Sequence, residues 1–104
     1  MSIEDTKIVD FIGTEQDGAV VLTISDHLEW EETHLGLLQD KLNSYLAFIE
    51  SGEIYETYPE AKDKIIKINV VCKHKPNEEG ISFLSRCKEI INQAGFKFEY
   101  ETGI

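Results

Sequence analysis

The stretch Lys64–Cys72, KIIKINVVC, constrains this chain more than any other part of it. Ile66, Ile68, Val70 and Cys72 fall on one side of the alternation, and Ile65, Lys67, Asn69 and Val71 on the other. Successive strand side chains point to opposite faces, so a period of two with rich β-branching marks a strand. The first face is wholly apolar and has to be buried. The second carries a lysine and an asparagine and stays partly wet, so helices are expected over one side of the sheet only.

The rest of the chain supplies matching pieces. KIVDFIG (7–13) reads as a short strand, and TEQDG closes in Asp17-Gly18, a hairpin turn in which glycine takes positive φ freely. AVVLTIS (19–25) follows, with Val20, Leu22 and Ile24 on one face and Ala19, Val21 and Thr23 on the other. Leu35, Leu38, Leu42, Tyr45, Leu46 and Ile49 recur at helical spacing, with Thr33 as the expected N-cap and Ser51-Gly52 as the stop. EIYETYPEA (53–61) is expected to be an irregular turn. A second helix should start at Asn77 behind Pro76, bury Leu84, Cys87, Ile91 and Ala94, and end at Ala94-Gly95. FKFEYE (96–101) closes the pattern as a strand.

The order is ββαβαβ. It predicts an α+β fold, a two-layer α/β sandwich with a mixed four-stranded sheet and two helices on one face. A helix between two strands implies a right-handed crossover and parallel neighbours. The sequential strand order, and one with the fourth strand inserted between its predecessors, both fit. At 104 residues the chain is expected to be one domain, 1–104.

With 41% hydrophobic and 29% charged residues, the chain has the composition of an ordinary globular domain and not of a disordered one. Its longest apolar run, Tyr45–Ile49, is far short of the roughly 18 residues that span a bilayer, so no membrane association is expected. MSIEDTK is acidic, with no apolar segment behind it, and does not read as a secretory signal. Cys72 and Cys87 have no paired metal-type spacing and make no disulfide framework. The expectation is a cytoplasmic protein with reduced, packed thiols.

Charge is unevenly spread. Residues 1–60 carry fourteen Asp/Glu against Lys7 and Lys41, a net of −12, while residues 61–104 carry eight Lys/Arg against six acids, a net of +2. Such a field repels nucleic-acid phosphates and favours a basic protein partner.

Chemistry-bearing residues concentrate in TISDHLEWEETH (23–34). Asp26 and His27 follow the second strand, and Cys72 and His74 lie at the end of the third. If those strands are parallel neighbours, Asp26, His27, Cys72 and His74 converge at the carboxyl edge of the sheet, where open α/β sheets place ligands. Imidazole, thiolate and carboxylate can all hold zinc or a similar cation. A Cys–His pair with an orienting Asp could equally activate a thiolate. The plainer alternative is a strand end running into a helix, with Asp26 as a turn residue and Trp30 as a lid.

No other motif points to a reaction. The glycines make neither a phosphate loop nor a dinucleotide fingerprint, there is no GxSxG elbow, and no cofactor is expected. The lysines bracketing the third strand (62, 64, 67, 73 and 75) lack interleaved aromatics and read as solvated edge residues rather than a nucleic-acid patch.

Three runs, SIEDTKIVDFIG…VVLTISDHLEW, LLQDKLNSYLAFIESGEIYETYP and INVVCKHKPNEEGISFL, resemble a family of small bacterial proteins known only as a domain of unknown function. The resemblance covers nearly the whole chain. It implies a bacterial, cytoplasmic, single-domain protein, and it implies no activity and nominates no residues.

The function expected is that of a non-enzymatic, acidic protein-interaction module. Glu29, Glu31 and Glu32 would meet a basic partner, with Trp30, Tyr55 and Tyr58 as aromatic anchors. The alternative is a small metal-binding protein or enzyme using His27, Cys72, His74 and Asp26. A homodimer through the sheet face bearing Ile65 and Val71, or through an edge strand, is a third possibility.

Overall fold

The computed structural model describes residues 11–102. Four strands, β1 (Phe11–Thr14), β2 (Val20–Asp26), β3 (Ile66–Cys72) and β4 (Lys97–Thr102), form one sheet in the order β1-β2-β3-β4. β1 pairs antiparallel with β2, and β2–β3 and β3–β4 are parallel. The sheet is therefore mixed, and the sequential order holds. Of the first expected strand, residues 7–10 lie outside the described residues.

The hairpin turn is built as its sequence suggests. Glu15 N donates to Ala19 O at 2.8 Å, and Asp17 Oδ1 accepts from Ala19 N at 3.0 Å. Gly18 sits at φ +93°, in the left-handed region a side chain resists.

Three helices complete the fold: α1 (Glu32–Glu50), α2 (Glu53–Thr57) and α3 (Glu78–Gln93). The expected irregular turn at 53–61 is thus the short helix α2 followed by a 3-10 turn, Pro59–Ala61. α1 and α3 join the β2–β3 and β3–β4 pairs and pack on one face. Their Leu38, Leu42, Ile49, Leu84 and Ile91 meet Val20, Leu22, Ile24, Ile66, Ile68, Val70 and Phe98 in a single core. The tyrosine of the α1 stripe is fixed more tightly still, because Tyr45 OH donates to Thr23 O at 2.9 Å.

The opposite face is half open. Lys67 lies there between Glu15 at 2.9 Å and Glu99 at 3.1 Å, and the two carboxylates hold its ammonium above the usual lysine range. Asn69 and Val71 are partly exposed on the same face.

Two details of the helices differ from the spacing. α1 begins two residues earlier than a Thr33 cap requires, with extended Glu31 as its N-cap and no side-chain cap bond. His34 and Lys41 belong to its inward stripe, whereas Leu35 and Leu46 are only partly buried. On α3, Gly80, Leu84 and Ile91 are buried, Cys87 is half-buried and Ala94 is exposed. The inward stripe of a helix follows where the sheet lies, and hydrophobicity alone does not fix that direction.

Candidate functional site

The densest chemistry lies where β2 and β3 end. Their parallel register sets Asp26 opposite Cys72, and the ladder continues one step further as Lys73 N donates to Asp26 O at 2.8 Å. Strand alternation turns the Asp26 side chain inward, toward the helices. There Oδ1 accepts from Leu28 N at 3.2 Å, turning the chain toward α1. In the first turn of α1 the amides of His34 and Leu35 bond to Glu31 O at 3.0 and 3.3 Å. That start places the His34 ring on the inner face, directly over the end of β2.

The result is a buried pair. His34 Nε2 lies 2.5 Å from Asp26 Oδ2, and each side chain is about 1% exposed. The second ring nitrogen, Nδ1, is 2.8 Å from Glu29 O. A peptide carbonyl can only accept, so Nδ1 carries a hydrogen. An ionised carboxylate also only accepts, so while Asp26 is ionised the bond at Nε2 is made by a ring that carries both hydrogens, an imidazolium. Burial opposes this charge, but hydrogen bonding to Asp26, its negative charge, the Glu29 carbonyl and the Glu31 charge together outweigh it. The His34 pKa is raised above 6.5.

Trp30 fastens the pair to the rest of the edge. Its indole stacks on the His34 ring at 4.1 Å between centroids and 28° between planes. A cation against an indole face is attracted by the ring quadrupole. Trp30 Nε1 donates to His74 O at 2.9 Å, Asn77 Nδ2 donates to Trp30 O at 3.1 Å, and Asn77 Oδ1 caps α3 by accepting from Gly80 N at 2.8 Å. The six-membered indole ring lies over Gly80 so closely that a Cβ there would come within 2.7 Å of Trp30 Cε3. One aromatic residue thereby ties the β2–α1 loop to the β3–α3 loop.

Of the four residues considered as metal ligands, the fold brings Asp26 and Cys72 together and leaves the histidines out of their company. His27 is exposed. His74 is half-buried, and its backbone carbonyl receives the indole. Among the described residues, no group of three or more His, Cys, Asp and Glu side chains is placed to hold a metal ion. Asp26 points to His34 instead. Cys72, 1% exposed, has its thiol pushed up to about 12 by burial and then by the charge of Asp26, so at neutral pH it is a packed, protonated SH group.

The six residues considered for a partner also divide. Glu29, Glu31 and Glu32 are exposed, as is Tyr55 on α2 at 40%. Trp30 faces inward as described, and the half-buried Tyr58 hydrogen-bonds through its hydroxyl to Thr14 Oγ1 at 2.7 Å. Only one of the three aromatic side chains is on offer to a partner.

Sequence reasoning passed over two buried polar residues. His34 was the nearer of these to recognition, because it precedes Leu38 by one helical turn and therefore belongs to the stripe. Lys41, wholly buried with its ammonium 5.7 Å from the Tyr45 ring centroid, lies on the same stripe. A polar residue at a core position of an amphipathic helix demands a partner, and that demand is the signal that points from His34 to Asp26.

Among the described residues, no helix is long and apolar enough to cross a membrane. No curated protein and no solved structure matches the chain. The model of DUF6572, a family of unknown function, matches residues 1–103, nearly the whole sequence, and the protein belongs to that family.

Proposed function

We propose that this protein is a cytoplasmic, bacterial, non-enzymatic interaction module that offers an acidic helical surface to a basic protein partner. One observation carries the reading. Between His27 and Ala61 every carboxylate is exposed, namely Glu29, Glu31, Glu32, Asp40, Glu50, Glu53, Glu56 and Glu60, while the only lysine of that segment, Lys41, is 0% exposed. The outer surface of α1 and α2 therefore carries acidic charge with no ammonium group interleaved. None of these eight carboxylates forms an ion pair among the described residues.

The chemistry at the strand ends supports the same reading from the other side. Asp26, His34 and Trp30 engage one another, and the Cys72 thiol is protonated and enclosed. What is left for a function is surface charge and shape. A one-sign surface steers an oppositely charged partner over distances of about a Debye length, roughly 8 Å at physiological salt.

Immobilised protein exposed to host extract tests the reading, with wild type compared against the Glu29→Lys/Glu31→Lys/Glu32→Lys variant at low and high salt. The expected result is a basic protein retained by wild type at low salt, released by high salt, and bound more slowly by the variant. Identical retention by both proteins, or salt-insensitive binding of an acidic partner, would overturn it.

A further inference from the structure

A groove runs between α1 and α3 on the outer side of the helical layer. It holds about 300 Å³, with an apolar lining from Leu35 and Leu46 of α1 and Phe83, Cys87 and Ile90 of α3, and with Gln39, Asn43 and Arg86 also on its walls. These side chains stand partly in solvent, with Ile90 54% exposed. Toward the start of α3 the groove continues into a second hollow that shares Leu35, Phe83 and Arg86 and is bordered by Glu78 and Glu79.

Both helices follow parallel strands of one sheet, so they run in the same direction. From Leu35 to Leu46 the α1 wall rises roughly 17 Å at 1.5 Å per residue, the length of about three helical turns. A groove of that length between two helices has the dimensions to seat a third helix, read by apolar side chains at i, i+3 or i+4, and i+7.

Charge chooses the occupant. Glu78 and Glu79 stand at one end, Glu32 lies one turn before Leu35, and Glu50 lies one turn after Leu46, all exposed. Arg86 is the one basic side chain lining either hollow. A second copy of this chain, with formal charge −10, would bring the same carboxylates against their own images. Apolar lining with acidic ends fits instead a helix that is apolar along one face and bears Lys or Arg beside it.

We infer that the α1–α3 groove docks an amphipathic basic helix of a partner protein. This rests on the acidic-module reading and adds to it where the contact lies and what the partner presents. Ile90 and Leu46 meet its apolar face, and Glu32, Glu78 and Glu79 meet its flanking cations.

The test uses a synthetic Leu/Lys helical peptide with apolar residues at helical spacing, a scrambled peptide of the same composition, and a Leu/Glu counterpart. Binding to the full chain is followed by amide chemical shifts and by affinity. The patterned Leu/Lys peptide should shift Leu35, Leu46, Phe83 and Ile90 and bind more tightly than the scrambled one, and the Leu/Glu peptide should not bind. Ile90→Asp, at an exposed position and checked for folding by circular dichroism, should weaken binding roughly tenfold or more. Glu78→Lys/Glu79→Lys should reduce its salt dependence. Shifts confined to the acids of α1 and α2 outside the groove, with Ile90→Asp binding unchanged, would overturn the groove while leaving the acidic module intact. Absence of binding by every peptide at low salt would overturn both. A dimer in sedimentation that Ile90→Asp dissociates would overturn the heterologous occupant in favour of a second copy.

Discussion

His34 Nε2 and Asp26 Oδ2 meet at 2.5 Å beneath the start of α1, and the other His34 nitrogen is held by the Glu29 carbonyl. The helix therefore cannot slide or rotate without separating two buried, opposite charges. Removing one member of such a pair leaves the other uncompensated in the interior, at a cost of about 3–5 kcal/mol. Asp26→Asn and His34→Ala should each lower stability on that scale in denaturant titrations, while His27→Ala, at an exposed neighbouring position, should not.

The same pair sets a pH dependence. Because the folded His34 pKa is raised above 6.5, its stabilisation is full below the unfolded value and is lost as pH climbs through the folded one. Thermal melts should therefore show wild type losing this contribution as pH rises above 6.5. In Asp26→Asn the hydrogen bond to the carboxylate and its charge are gone, so burial is opposed only by the Glu29 carbonyl and the Glu31 charge, and the His34 pKa should fall. The loss of stability with rising pH should therefore be smaller in that variant than in wild type.

Gly80→Ala carries an unusual expectation. In a helix interior this exchange ordinarily stabilises by about 1 kcal/mol. Here the new methyl would sit 2.7 Å from Trp30 Cε3, and the indole is fixed by its bond to His74 O and its stack on His34. Overpacking of that kind costs about 1–3 kcal/mol. Stability should fall, and Trp30 fluorescence should move to longer wavelength as the ring is displaced toward water.

Much of this fold was open to reading in the sequence, for a reason visible in β3. Its alternation is unbroken, so every residue from Ile66 to Cys72 falls on the face assigned to it. The hairpin at Asp17-Gly18 and the Asn77 cap are equally local, each decided by one side chain and the amides within a few residues of it. The strand order could not be decided that way, since nothing local distinguishes β4 beside β3 from β4 inserted between its predecessors.

The site was legible in part. Parallel pairing of β2 with β3 is one of the two arrangements the sequence leaves open, and it brings Asp26 beside Cys72. What ordering by strand ends alone could not supply was the direction of each side chain. Asp26 turns toward the helix rather than toward His74, and His34 comes down from one turn inside α1 to meet it. Trp30, in the middle of three exposed glutamates, reads either as a surface anchor or as a lid, and only the backbone partner of its indole N–H, 44 residues away, decides between them.

The cysteines give a further check. Burial pushes Cys87 up to about 11 against the opposing influence of Arg86, and Cys72 to about 12. At neutral pH both should be almost wholly protonated and slow toward iodoacetamide. Cys87, half-buried at the groove, should react first, and Cys72 only on unfolding. Equal, rapid labelling of both thiols in the native protein would contradict their enclosure.

The most direct measurement is the protonation of the His34 ring itself, read from side-chain nitrogen chemical shifts as pH is raised from 6 to 9. An imidazolium with hydrogens on both nitrogens, persisting above pH 6.5 and abolished in Asp26→Asn, is the predicted result. It would establish that Asp26 and His34 are engaged with each other, as the proposal of an acidic interaction surface requires. A neutral ring at pH 6, with a single hydrogen and a resonance unaffected by Asp26→Asn, would contradict that and return the strand ends to consideration as a reactive site.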